Sequence, residues 1–379
     1  MINHRNINHN SMKKLIILTD EDSDFLISRS NTKDFTTMDV EKIRVNFVQK
    51  GYSVIVTRFS KLDLNQDFKD INIIYQTSEA PGAFYKRYIE DLIYLLGKRG
   101  ANAIPAFEYL KAHHNKVFME FLRSTFNDNA LKSIKAVCYG SWVDAQNYNS
   151  DFPVVIKKCS SAGSLGVHLA CNRKEYDKLI RKMGKIIVAG NIQDVFLNYF
   201  KRLYRLTVKR FYPEKSHYVQ YNTAPVSTAL IIQTFIEGLT GDFRVLILGR
   251  KYYFMFRGNR VNDFRASGSG IVADVPEKLH EDLLNFSRKI TMEVDSPIIA
   301  LDVGHDGKQF HLIEFQMIHM GTSALHRSGF WYEFHEGNWV KFEGKSDLEE
   351  EYSRAIDEYI QYRKNDTIIE KSLTEPAKK

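Results

Sequence analysis

Ile298-Ile299-Ala300-Leu301-Asp302-Val303 and Phe310-His311-Leu312-Ile313-Glu314-Phe315-Gln316 are two apolar runs around the polar turn His305-Asp306-Gly307-Lys308. The pattern predicts a β-hairpin. Glu314 and Gln316 stand at i and i+2, so they share one strand face. Asp302 lies on the preceding strand, and the short turn keeps the three groups near one another, although the sequence does not fix their register. These polar groups interrupt Ile298–Leu301 and Leu312-Ile313. Hard oxygen ligands clustered this way suit magnesium shared with the phosphates of a nucleotide. The plain alternative is an exposed sheet face carrying ordinary polar residues.

Upstream, Val245–Leu248 and Tyr252–Phe256 flank Gly249-Arg250, a two-residue hairpin signal. Arg244 opens this hairpin and Arg257 closes it. Arg265 follows in Asn262-Asp263-Phe264-Arg265-Ala266-Ser267-Gly268-Ser269-Gly270. Three arginines around one hairpin suit a phosphoryl group and a developing oxyanion, whereas any one of them taken singly is more commonly a solvated surface residue. Gln233-Thr234-Phe235-Ile236-Glu237-Gly238 is an apolar strand running into a polar turn, and Asp242 follows. Its backbone suits an adenine edge, and Asp242 suits ribose hydroxyls.

Further upstream, Val154-Val155-Ile156-Lys157 is a strand that delivers a lysine. The loop Ser160-Ser161-Ala162-Gly163-Ser164-Leu165-Gly166 follows. Small residues let backbone N–H groups approach an anion. No Gly-Lys-Ser/Thr is present, so this is not a P-loop, and a plain turn is the competing reading. Phe107–Leu122 reads as one helix carrying His113, His114 and Lys116. Arg173–Met183 and Leu279–Val294 are helices. Ile192, Phe196, Tyr199, Leu203 and Leu206 follow helical spacing, with Lys201, Arg202, Arg205 and Lys209 on its other faces. That basic helix suits an anionic acceptor or a solvated surface.

The first hundred residues alternate strand and helix. Leu15–Leu18, Ser53–Thr57 and Ile71–Tyr75 are strands; Val40–Lys50, ending at Gly51, and Tyr88–Leu96 are helices. Such alternation predicts a parallel α/β sheet. Leu348, Tyr352, Ile356 and Tyr359 mark a C-terminal amphipathic helix, and residues 365–379 read as a frayed tail.

Composition excludes several classes. With 44% hydrophobic and 26% charged residues in 379, the chain is globular rather than disordered. No stretch reaches the ~18 apolar residues of a membrane span. Met1–Asn10 lacks the apolar core of a signal peptide, and Met12 is an alternative start. The 3 cysteines, Cys138, Cys159 and Cys171, form no C-x-x-C pair, which fits a reducing cytoplasm better than a disulfide scaffold or zinc site. A net charge of +7 favours anionic partners. The basic residues are spread along the chain and no nucleic-acid-binding signature is visible, so no nucleic-acid partner is expected.

In order and spacing, Lys157 to Val167, Ile-Gln-Thr-Phe-Ile-Glu-Gly, Asp-Phe-Arg, Asn-Asp-Phe-Arg-Ala-Ser-Gly-Ser-Gly and Leu-Asp-Val…Ile-Glu-Phe-Gln resemble the ATP-grasp superfamily across residues 105–320. The branch most similar contains ribosomal-protein glutamate ligases and glutathione synthetases. Within it the chain looks like bacterial members linked to cell-surface polysaccharide synthesis. The resemblance implies an α/β (α+β grasp) fold: an N-terminal parallel α/β pre-ATP-grasp domain at 12–110, a central lobe at 111–228, a C-terminal lobe with the metal site at 229–330, and a helical extension and tail at 331–379.

It also implies roles. Lys116 and Lys157 match the nucleotide lysines, and Lys158 should point away. Ser161, Ala162, Gly163, Ser164 and Gly166 match the loop over the phosphates. Gln233, Thr234, Phe235 and Ile236 match the adenine hinge, and Asp242 the ribose contact. Arg257 and Arg265, with Arg244 beside them, match the arginines near the γ-phosphate and acyl phosphate. Asp302 and Glu314 match the metal carboxylates, and Gln316 stands where most members have asparagine. The usual Pro-Gly after that position is absent; the chain reads Met317-Ile318-His319-Met320-Gly321-Thr322.

The implied activity joins a carboxylate to an amine or other nucleophile with ATP and Mg2+ (Mn2+ as a substitute). An anionic or glycan-linked acceptor fits such a scheme. An ATP-grasp phosphotransferase acting on a hydroxyl, or a nucleotide-binding protein without catalysis, is the alternative. Oligomeric state is left open.

Overall fold

The computed structural model describes residues 13–25, 27–29, 35–76, 83–149, 151–160, 166–184, 228–261, 263–265 and 271–374, with 200, 203–204, 207–208 and 210–212. The segment Ser161, Ala162, Gly163 and Ser164, the basic positions Lys201, Arg202, Arg205 and Lys209, and Asn262 with 266–270 lie outside them. So do Met1 and Met12.

The run Leu15–Leu18 lies inside the strand Lys13–Thr19, fully buried because both faces are covered. It pairs in parallel with Tyr52–Arg58 on one side and Asn72–Tyr75 on the other, and Asn102–Ile104 continues the sheet. The helices Val40–Gln49 and Ala83–Lys98 occupy the connections. Asp39 caps the first of them through Lys42 N, and Gly51 ends it at φ +84°, a left-handed position that suits glycine. The parallel α/β sheet expected from the alternation is therefore present.

Two compact units divide the chain. One comprises residues 1–113, 125–133 and 238–379; the other comprises 114–124 and 134–237. In the first, a seven-stranded sheet carries Phe310–Gln316, Ile298–His305, Gly241–Leu248, Lys251–Gly258, Phe330–His335 and Asn338–Glu343 in that order, with Val272–Ala273 beside Lys251–Gly258. Both predicted hairpins are there. One core cluster joins Leu15 and Ile17 from the N-terminal sheet, and Phe47 from the helix Val40–Gln49, to Leu246, Ala300, Tyr352 and Ile356. In the second unit, Ala136–Tyr139, Leu230–Thr234, Val154–Lys158 and Val167–Ala170 form an antiparallel sheet backed by helix Arg173–Gly184.

Three expectations need correction. Phe107–Leu122 is not one helix. It is Phe107–Ala112 and Lys116–Ser124, broken where His114 adopts φ +53° and Asn115 Oδ1 accepts Phe118 N at 3.1 Å. An asparagine N-cap starts a new helix there. Helix 279–294 is shorter, His280–Thr291, preceded by the tight turn Glu277–Leu279. The segment from 331, expected as helical, opens with a β-hairpin turning at Glu336 (φ +47°) and Gly337 (φ +90°), the conformation two-residue hairpins favour. The helix Leu348–Thr374 follows. No helix among the described residues is long and apolar enough to cross a membrane.

Candidate active site

Strand register builds the polar face of the first unit. Asp302 pairs with Glu314 on one side and Arg244 on the other, while Asp242 pairs with Arg257. Residues opposite one another, and residues two apart, point the same way. Asp242, Arg244, Arg257, Asp302, Glu314 and Gln316 therefore share one face of four adjacent strands. That face turns apolar further along, at Leu246, Leu248 and Ala300. Between Asp302 and Val303 the register shifts and skips Ile313. A bulge of this kind re-aims the neighbouring side chain, and here the neighbour is Glu314.

The side chains are tightly linked. Arg244 Nη1 donates to Asp302 Oδ1 at 2.6 Å, and Arg257 Nη2 lies 2.9 Å from the same oxygen. Arg257 also grips Asp242 with two bonds, Nε to Oδ1 at 2.6 Å and Nη2 to Oδ2 at 2.8 Å. Burial alone would raise Asp302, but Arg257 and Arg244 outweigh it and hold this carboxyl well below the usual range. Burial, with the charge of Asp302 added, pushes Asp242 up to about 6. Arg265 closes instead on Asp263, with Nε to Oδ1 at 2.8 Å and Nη2 to Oδ2 at 2.8 Å; that bonding lowers Asp263 to about 2. So the structure joins Arg244 and Arg257 to the Asp302 carboxylate and holds Arg265 in a local pair.

The segment after Gln316 is fixed by Gln316 and Arg244 and by Gln76, which the sequence did not single out. Gln316 Nε2 donates to His319 O at 2.7 Å, and Gln76 Oε1 accepts His319 N at 2.8 Å. His319 sits at φ +54°. Arg244 Nη2 donates to Met320 O at 3.0 Å. Gly321 has φ +62°, and a Cβ there would run into Arg244 Nη2. Gly321→Ala is thus expected to cost about 1–2 kcal/mol for the left-handed backbone alone and to pull Arg244 off Asp302. A chemical denaturation curve matching the parent would contradict this.

The donor set fits a hard divalent cation. Both arginines use Oδ1 of Asp302, so Oδ2 is the oxygen turned from them. Gln316 spends its amide N–H on His319, which leaves its carbonyl oxygen as the donor beside the Glu314 carboxylate. Two carboxylates and an amide oxygen suit Mg2+ or Mn2+. Among the described residues no group of three His, Cys, Asp or Glu gathers for a metal.

The second unit carries the lysines. Lys157 pairs with Ile231, and Val155 with Gln233. Lys157 and Gln233 therefore share one sheet face, while Val154, Ile156, Leu230 and Ile232 fill the apolar cluster on the other. Lys158, one residue on, takes the opposite direction from Lys157. Lys158 N donates to Gly166 O at 2.9 Å. Lys116 begins its helix beside the end of the lysine strand, its N–H donating to Cys159 O at 3.0 Å. Both lysines are buried.

Helix Lys116–Ser124 buries Lys116, Glu120 and Arg123 alongside Met119 and exposes Phe121. Gln233 Nε2 donates to Glu120 Oε1 at 2.7 Å, and Arg123 Nε lies 3.6 Å from Glu120 Oε2. Glu120 and Arg123 went unnoticed in the sequence, although their i, i+4 and i+7 spacing from Lys116 marks one helix face. The Thr234 N–H is taken by Lys135 O at 3.0 Å, and the strand ends there, so Phe235 and Ile236 continue as irregular chain.

No protein-family model matches the chain, and no curated protein matches it. Solved structures do. D-cycloserine synthetase DcsG aligns over 92% of this chain and 99% of its own, with 10% identity and a TM-score of 0.50. A D-alanine–D-alanine ligase from Bacillus anthracis aligns over 93% and 99%, at 12% identity and TM-score 0.48. A RimK domain ATP-grasp protein from Sphaerobacter thermophilus aligns over 79% and 90%, at 11% identity and TM-score 0.41. At such identities the likeness concerns the fold.

Proposed function

We propose that this chain, whose parallel and antiparallel sheets form the ATP-grasp α+β fold, is an ATP-dependent ligase. It joins a carboxylate to an amine or similar nucleophile through an acyl phosphate, releasing ADP and phosphate. The observation that carries the reading is the four-strand polar face on which Asp302, Glu314 and Gln316 stand together with two arginines. The solved structures it resembles include proteins named as ligases and synthetases, which supports the reading. A substrate within cell-surface polysaccharide or peptide modification, handled in the cytoplasm, is the finer form of this proposal.

When bound, a divalent cation supplies charge neutralisation on the phosphate oxygens. Asp302, Glu314 and Gln316 hold it. Arg244 and Arg257 keep Asp302 ionised and aimed. Lys116 and Lys157 bind phosphate oxygens. The strand end at Gln233–Ile236 takes the adenine edge. Arg265, on its turn, stabilises the oxyanion that develops at the acyl carbon. Asp242 is so fully engaged by Arg257 that its contact with ribose requires that pair to loosen. The competing phosphotransferase reading differs in one product, since a ligase frees inorganic phosphate and a kinase transfers it.

The test is a thermal shift with Mg2+ and a non-hydrolysable ATP analogue, wild type beside Lys157→Ala. Saturation at 100 times the dissociation constant adds about 2.7 kcal/mol. A magnesium-dependent rise in the wild type that is lost in the variant is expected. An equal rise in both proteins, or none in either, would overturn the nucleotide role of Lys157.

A further inference from the structure

Gln233 lies on the same sheet face as Lys157, and its cross-strand neighbours there are Val155 and Ala136, whose side chains offer no hydrogen bond. The amide turns instead to helix Lys116–Ser124, where Nε2 donates to Glu120 Oε1 at 2.7 Å. Both residues are buried, Gln233 at 3% exposure and Glu120 at 7%. The other carboxylate oxygen of Glu120 lies towards Arg123, one turn along the helix, with Nε to Oε2 at 3.6 Å.

An ionised carboxylate only accepts hydrogen bonds. It can meet the N–H end of a glutamine amide but not the oxygen end, so the usual freedom of such an amide to turn over is removed. Oε1 of Gln233 is the end turned away from Glu120, and among the described residues it accepts no hydrogen bond. The rest of this face suits a flat apolar ring. Ile231, two residues before Gln233, stands between Cys138 and Lys157. Burial, with the Glu120 charge added, pushes the Cys138 thiol up to about 11, so it stays neutral. At the next residue the Thr234 N–H is already spent on Lys135 O, so that amide does not read a base.

We infer that Glu120 is a positioning residue for nucleotide choice: it holds the Gln233 amide with its oxygen outward, and that oxygen selects a base bearing an amino group at its 6-position. The inference rests on the ATP reading above. An outward acceptor pairs with the exocyclic N–H of adenine. Against the 6-oxo group of guanine or hypoxanthine, two acceptors face each other and neither finds a donor. A site built to receive a hydrogen bond rejects the analogue that lacks it, because its own buried group is then left unpaired.

Isothermal titration calorimetry with Mg2+ and the β,γ-imido analogues of ATP and ITP tests this. The two ligands differ only in the 6-substituent of the base and the N1 proton that goes with it. The wild type is expected to bind the adenine analogue about 10–100-fold more tightly. In Glu120→Gln the partner can present either end of its own amide, so Gln233 is free to turn over. The ratio is then expected to fall about tenfold, through tighter binding of the inosine analogue. A merely structural role for Glu120 would weaken both ligands together and leave the ratio unchanged. Gln233→Met removes the acceptor itself; it should lower the ratio likewise, and it carries the test if Glu120→Gln does not fold. Equal affinity of the wild type for both analogues, or a ratio that neither variant changes, overturns the inference and leaves the nucleotide site standing. Binding of neither analogue overturns the ATP reading and this inference with it.

Discussion

Glu314→Ala and Asp302→Asn are expected to abolish magnesium-dependent nucleotide turnover while leaving the fold intact. Loss of a group that only supports a metal ligand typically costs about 10–100-fold in metal affinity. Loss of a donor oxygen from a set of three should exceed that. The choice of substitution follows from the contacts. Asp302 is the shared partner of Arg244 and Arg257, so alanine there strands two buried guanidiniums and confounds folding with catalysis. Asparagine keeps an oxygen for them while removing the charge the cation needs. Glu314 lies across the hairpin from Asp302, and alanine there removes its carboxylate. Mg2+ titration of each variant in the presence of the ATP analogue, followed by thermal shift, is the measurement. Wild-type magnesium dependence in both variants would remove the metal assignment.

Arg257→Met is expected to have the largest effect on stability, a loss of about 3–5 kcal/mol, the cost of stranding buried charge when one partner of a pair is removed. Arg257 is the common partner of Asp242 and Asp302, all three largely shielded from water. Without it two carboxylates face each other with only Arg244 between them and bulk repulsion. Adding Asp242→Asn to Arg257→Met should recover part of the loss, since it removes one of the stranded charges. Urea unfolding of the two single variants and the double variant measures the coupling. Strict additivity would mean that the pair is not energetically linked.

Much of this was legible before the structure. The 298–316 hairpin, the parallel N-terminal sheet and the 245–256 hairpin follow from period-2 and buried-strand patterns with turn residues at the right places. Asp302, Glu314 and Gln316 were readable as neighbours because a short turn joins their strands. What the sequence could not yield was register. The bonds of Arg244 to Asp302 span 58 positions, and only the pairing of Gly241–Leu248 with Ile298–His305 brings them together. Arg257 read as a γ-phosphate arginine, yet strand pairing sets it on two carboxylates.

The helix break at His114 was hidden for another reason. Phe107–Leu122 keeps an apolar period across it, and only the Asn115 cap betrays the restart. Ala136–Tyr139 and Val167–Ala170, at four residues each, are too short for a pattern to stand out. Gln76 was overlooked because a single polar residue at the end of an apolar strand carries no signal until its partner is known.

The mixed core of the first unit bears on biosynthesis. Leu15, Ile17 and Phe47 are made first, but Tyr352, Ala355 and Ile356, with which they are buried, are made last. During translation the opening sheet must wait, apolar surface uncovered, while more than two hundred residues emerge, whereas 134–237 have nearly all their own partners already at hand. A ribosome-bound chain halted before Leu348 should therefore be protease-sensitive in its first hundred residues and depend on chaperones. A nonsense mutation in the closing helix would harm the beginning of the protein more than its middle.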